Sequence, residues 1–238
     1  MTATAPWWVA AFGPDYLQVY AHRDDDAAVA EVAGLQPMLG HGPVLDACCG
    51  NGRHLAALRR LGVTAVGFDY SSTLLTSASV RPEVAGRTAR ADVRAIPLAG
   101  NFSAVLVLFT AFGYFDEADN ARALAALAGQ LAADGRLLLD LPDPERLRAT
   151  LVPTSERQVG ELRVSERRRL DGPRVVKDVT ITRADGSTHA YTESVRLYSA
   201  AEIAALAAGA GLHVETWWPG LRGPTSDEGR QAWWLRAP

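Results

Sequence analysis

Cysteine is almost absent: the 238 residues hold two, Cys48 and Cys49, side by side. Adjacent cysteines bridge each other only with strain and leave none for a framework, so a disulfide-stapled fold is excluded and a reducing, cytoplasmic setting is expected. His54 lies close by, but one tight turn does not converge three such ligands with a fourth. No C-x-x-C or H-x-x-x-H pair occurs either, so no metal is expected. An excess of positive charge is missing too. With 24 basic and 27 acidic side chains the formal net charge is -3, and no overall field draws in nucleic acid or an anionic membrane surface. Nothing approaches the ~20 apolar residues that cross a bilayer, and "MTATAPWWVAAFGPDY" lacks the basic start of a secretory leader.

What is present is an ordinary globular composition, 48% hydrophobic and 21% charged, enough for one large domain with an insertion. From residue 44 to about 142 short apolar runs alternate with helical stretches. "PVLDAC", "TAVGFDY", "TARADV", "SAVLVLF" and "RLLLDLP" read as strands, with helices over "RHLAALRRLG", "SSTLLTSASV" and "DNARALAALAGQLAADG" between them. That order predicts right-handed βαβ units and a parallel sheet covered on both faces.

Beyond Pro144 the period changes to two. Asp-Gly pairs at 171–172 and 185–186 mark consecutive antiparallel hairpins, followed by a helix capped at Ser199 and two strands, "HVETWWP" and "RQAWWLRA". The predicted fold is a Rossmann-like, doubly wound seven-stranded α/β domain over 40–154 and 199–238, with an antiparallel β insertion at 155–198. Val175, Val179 and Ile181 on the hairpins either pair between subunits, making a homodimer, or fold onto their own domain. Residues 1–39 form a helical lid in which Trp8, Phe12, Tyr16 and Tyr20 recur every four residues, along one helical face if the Gly13-Pro14 break does not rotate it.

Three strands end in an acid: Asp46, Asp69 and Asp92, each 23 residues from the last. In open α/β sheets ligands bind beyond the carboxyl ends of the strands, so these acids share one rim. Gly50 and Gly52 follow Asp46 at a strand-to-helix turn, where glycine lets a ligand approach the backbone. Asp69 is placed to accept from a ribose diol, and Asp92 from an exocyclic adenine amine, with the Val93 N–H donating to the ring.

"VLDACCGNGRH", "VGFDYS", "ARADVRAIPL", "FSAVLVLFTAFGYF" and "DGRLLLDLP", in that order, resemble the class I S-adenosylmethionine-dependent methyltransferases over residues 40–142. "CCGNGRH" and "LFTAFGYF" are most similar to bacterial small-molecule enzymes, including amino-sugar N-methyltransferases. The resemblance implies S-adenosylmethionine as cofactor and a small-molecule acceptor methylated at N or O. It implies that Asp46 and the backbone of Ala47, Cys48, Gly50 and Gly52 frame the methionyl end, Asp69 the ribose and Tyr70 one adenine face. Asp92 and Val93 take the adenine's polar edge, and Leu108 and Phe109 line the other side. Tyr114 then falls on the substrate side, and Tyr16 and Tyr20 in a segment that closes over the donor. Each of the three is either a group that holds the acceptor or a buried ring. Ser103 replaces an Asp usual in the family, and Leu55 stands at the third position of the glycine loop. Enzymes acting on DNA or protein amides carry an Asn/Asp-Pro-Pro-aromatic turn where this chain reads "FTAFGYF".

Two other functions share parts of this pattern. A nicotinamide-dependent oxidoreductase would place pyrophosphate on the helix N-terminus beside Asp46, where a carboxylate repels it. A fold relative that only binds the cofactor, or catalyses a cyclisation, would carry the same cofactor residues. Arg53 is either an ion-pair partner or solvated, and Asp140 faces the rim or caps a helix.

Overall fold

The structure, a computed structural model, describes residues 6–237. Helices α1 (Trp7–Ala11), α2 (Asp15–Val19) and α3 (Asp25–Leu35) lead to the sheet domain. Its first half is β1 (Val44–Ala47), α4 (Arg53–Arg60), β2 (Ala65–Asp69), α5 (Ser72–Ser79) and β3 (Thr88–Arg90). Then come β4 (Phe102–Val107), α6 (Glu117–Ala128), β5 (Leu131–Pro142) and α7 (Pro144–Thr150). The insertion is β6 (Thr154–Val159), β7 (Leu162–Asp171), β8 (Arg174–Thr182) and β9 (Thr188–Arg196), and α8 (Ala200–Gly209), β10 (His213–Trp218) and β11 (Arg230–Arg236) finish the domain.

The seven-stranded sheet runs β10-β11-β5-β4-β1-β2-β3. β1 to β5 pair in parallel, and β11 is antiparallel to both β5 and β10. Strand order reverses between β1 and β4, which opens a crevice at their carboxyl ends. The central strand β1 is buried at all four positions, as a strand covered on both faces must be.

Several elements depart from the pattern of the sequence. α6 ends at Ala128 rather than running to residue 135, with Gly129 as its C-cap, and Gly100 passes so close that a Cβ on Gly100 would lie 2.6 Å from the Gly129 carbonyl oxygen. The Gln130 carbonyl then accepts from Asn101 and Phe102, drawing the chain into β5. β3 stops at Arg90, so Asp92 stands in the turn beyond the strand, where its carboxylate accepts the Arg94 N–H at 2.9 Å. α7 has no counterpart in the sequence reading, although Asp143 caps it and Pro144 occupies its first turn, both ordinary start signals.

The insertion is a four-stranded antiparallel sheet, β6-β7-β8-β9. Gly172 (φ 53°) and Gly186 (φ 82°) turn the two predicted hairpins, and Gly160 (φ 58°) turns a third that adds β6. Val164, Val179 and Ile181 on its inner face pack on Val19 of α2, so this apolar face is covered within the chain. α3 belongs to the main core rather than to a cover: Ala28, Val32 and Leu35 are fully buried with Leu55 and Leu58 of α4. Among the described residues no helix is long and apolar enough to cross a membrane.

The loop after β1 lies flat on β2. A Cβ on Gly67 would meet Cys49 Sγ at 2.9 Å and the Asp46 carbonyl oxygen at 3.0 Å. Gly67→Ala is therefore expected to lower stability by about 1–3 kcal/mol, measured as a reduced denaturant midpoint.

Candidate active site

The glycine loop is built on left-handed backbone: Cys48 (φ 59°), Gly50 (φ 55°) and Gly52 (φ 73°). The last of these starts α4, and its Cα faces Val84 and Ala78 so closely that a Cβ would lie 3.2 Å from Val84. Asp69 anchors the loop. Its Oδ2 accepts the Gly50 N–H at 2.8 Å and its Oδ1 the Ser71 N–H at 2.7 Å. Ser71 in turn caps α5 and donates its hydroxyl to the Phe12 carbonyl at 2.7 Å, tying the N-terminal helices to the rim.

These contacts enclose a cavity of about 320 Å³. Cys48, Asp69, Tyr70, Asp92, Val93, Leu108 and Phe109 line it from the strand ends, with Trp8, Phe12, Tyr16, Tyr114 and Phe115 as an aromatic cover. Asp46, Ala47, Gly50 and Gly52 do not line it. Tyr20 is also outside the wall, one layer out, with its ring 4.8 Å from that of Tyr16 and its hydroxyl accepting from Lys177 at 3.2 Å. The Tyr16 and Tyr114 phenols are both pushed up by burial, so they stay protonated at neutral pH.

The acids differ in how they are held. Asp46 is 1% exposed and its Oδ2 is buried with no hydrogen-bond partner. Burial, against the attraction of Arg53 and with the repulsion of Asp69, pushes its carboxyl up to about 7. Asp92 is forked by Arg94, at 3.0 Å to Oδ1 and 2.7 Å to Oδ2, and its carboxyl is held below the usual range by that arginine. The thiols of Cys48 and Cys49 are both pushed well up by burial, which removes thiolate chemistry at neutral pH. Among the described residues no cluster of His, Cys, Asp and Glu is arranged for a metal ion.

The turn after β4 is strained, with Phe109 (φ 55°) and Thr110 (φ 62°) both left-handed, at a cost of about 1–3 kcal/mol each. Asp140, at the end of β5, holds it in place. Its Oδ2 accepts the Phe109 N–H at 2.6 Å, its carbonyl accepts the Thr110 N–H at 3.1 Å, and Arg230 forks its carboxylate at 2.5 and 2.8 Å. Arg53 is buried and pairs with Glu31 at 3.3 Å, while His54 meets the same carboxylate at 2.7 Å. The Arg53 guanidinium stacks 4.1 Å from the centre of the Phe109 ring. Glu31 and Arg230 carry no local sequence signal for these roles, since each partner lies more than a full element away.

An acid-rich rim with an unpartnered buried carboxylate oxygen suits a cationic ligand with ribose and adenine, and it is unfavourable to a pyrophosphate. Residues 44–135 match the family model described as "Methyltransferase domain". The match runs from β1 into β5 and leaves out the N-terminal helices and the insertion. No curated relative matches the sequence. Among solved structures the chain is similar to the CcbJ methyltransferase of Streptomyces caelestis, at 17% identity and TM-score 0.78 over 96% of this chain and 98% of that one. It is similar to CalS10 of Micromonospora echinaspora, an amino pentose methyltransferase with S-adenosylmethionine bound, at 22% identity and TM-score 0.69 over 95% and 98%. The sugar N-methyltransferase KedS8 of Streptoalloteichus sp. aligns at 23% identity and TM-score 0.69 over 94% and 93%. The fold is that of class I methyltransferases.

Asp46 makes the free protein pH-sensitive. With its folded carboxyl at about 7 against an ordinary 3.8, the folded state keeps a proton that the unfolded chain has lost. This group therefore lowers stability as pH rises across that window. Chemical denaturation between pH 5 and 8 is expected to show this falling component in the wild type and its absence in Asp46→Asn.

Proposed function

We propose that the chain is an S-adenosylmethionine-dependent methyltransferase acting on N or O of a small-molecule acceptor. The observation that carries this reading is the cavity at the carboxyl ends of the strands, lined by Asp69 and Asp92, with the glycine loop anchored on Asp69. Asp46 faces the methionyl ammonium through the loop of Ala47, Cys48, Gly50 and Gly52. Asp69 keeps lone pairs free after accepting two backbone N–H groups, because a carboxylate accepts at about four sites, and these take the ribose hydroxyls. Tyr70 and Arg90, with the guanidinium 5.4 Å from the ring centre, form one side of the adenine slot. Asp92 with the Val93 N–H forms its polar edge, and Leu108 and Phe109 its other side.

When bound, S-adenosylmethionine supplies a methyl group already activated on a sulfonium. The protein has then to align the acceptor and keep water out. Alignment supplies about 7–11 kcal/mol in favourable cases, whereas a positioned base adds about 10²–10⁴-fold, so enclosure matters more than a dedicated base. Trp8 of α1, Phe12 just beyond it and Tyr16 of α2 form the lid of this enclosure, and the insertion forms its roof. Protonated Tyr16 and Tyr114 present oxygen lone pairs toward the donor end, with Tyr20 behind them on the acceptor side. The two free thiols accord with a reducing, cytoplasmic setting.

Calorimetric titration with S-adenosylhomocysteine tests the reading. Asp69→Ala and Asp92→Ala are each expected to weaken binding by about tenfold or more, since each removes hydrogen bonds to a charged group. Unchanged affinity in both variants would refute the assignment.

A further inference from the structure

Asp92 lines the cavity, and a free carboxylate there accepts hydrogen bonds at about four sites. Arg94 takes three of them. Its backbone N–H and its Nε both donate to Oδ1, at 2.9 and 3.0 Å, and its Nη2 donates to Oδ2 at 2.7 Å. Oδ1 is then filled, and one acceptor position stays open on Oδ2. A planar guanidinium joined to both oxygens also fixes the plane of the carboxylate, which an ammonium, as a point charge, leaves free to turn.

The guanidinium is itself held on its remaining edge and on its face. Its Nη1 donates to Asp119 Oδ2 at 2.6 Å, in the first turn of α6, and Arg122 meets the other oxygen of Asp119 at 2.9 Å. The guanidinium carbon lies 4.4 Å from the centre of the Phe115 ring, which lines the cavity and meets the ring of Trp8 edge-on at 4.9 Å. The orientation of Asp92 is therefore set from α6 and from the cavity wall as well as by its own turn.

A carboxylate held in this way reads one feature of a base. The arginine keeps its carboxyl below the usual range, so it is an acceptor only. One open lone pair suits the exocyclic amine of a 6-aminopurine. A 6-oxopurine brings a carbonyl oxygen against that lone pair and a protonated ring nitrogen against the Val93 N–H, which leaves both protein groups unpaired.

We infer that Arg94 is a specificity-determining residue of the donor site: by filling three acceptor positions of Asp92 and fixing its plane, it makes the cavity select a 6-aminopurine over a 6-oxopurine. This rests on the methyltransferase reading, in which Asp92 faces the adenine edge, and adds the group that makes that edge selective.

The full-length protein is titrated by calorimetry with S-adenosylhomocysteine and with S-inosylhomocysteine, which differs from it only in the purine 6-oxygen and the N1 proton. The unaltered protein is expected to bind the adenosine compound about tenfold or more tightly than the inosine compound. In Arg94→Gln, and in Arg94→Lys, which keeps the charge but not the fork, most of that preference is lost. The loss comes from weaker binding of the adenosine compound, while the inosine compound binds both variants at least as well as before, so loss of selection is told apart from a general loosening of the site. Equal affinity of the unaltered protein for the two compounds, a preference that survives in either variant, or a parallel loss of both ligands overturns the inference. Failure of the unaltered protein to bind S-adenosylhomocysteine overturns the methyltransferase reading itself.

Discussion

One carboxylate ties the candidate site together. Asp69 accepts from Gly50 on one oxygen and from Ser71 on the other, so the loop after β1 and the start of α5 are positioned by the same group. Ser71 passes the constraint outward through its hydroxyl to the Phe12 carbonyl, which sets where the aromatic cover sits. The cavity floor, its rim and its lid thus share one anchor. Such an anchor is stable only because both carboxylate oxygens are satisfied, since a buried acid without donors is costly.

Arginine and backbone immobilise the remaining acids, and this division separates scaffold from chemistry. The Asp140 and Arg230 pair stabilises a turn with two left-handed non-glycine residues, Phe109 and Thr110. The Arg94 fork fixes Asp92. Asp46 keeps one buried oxygen without a partner, and Glu193 is held by Lys177.

The three acids were readable because a βα unit has a nearly constant length, and equal spacing brings Asp46 and Asp69, on their strands, and Asp92, two residues past β3, to one edge. Hairpins at Gly172 and Gly186 were readable because Asp-Gly pairs encode their turns. β6 was missed because "TSERQVGEL" turns at Gly160 without such a pair, and its alternation is mostly polar. Arg53 and Asp140 stayed ambiguous for a different reason. Their partners, Glu31 and Arg230, lie 22 to 90 residues away in the chain, and no local period marks a pair at that separation.

Local chemistry, then, determined the element types, the glycine loop and the acids that rim it, because turn residues, alternation and strand length act within a few residues. Only the tertiary structure decided what each charge meets. It set the last strand between β5 and β10, folded the inner face of the insertion over α2, and placed Lys177 between Tyr20, Glu166 and Glu193. The reason is physical: an ion pair is specified by distance in space, and a linear sequence records only distance along the chain.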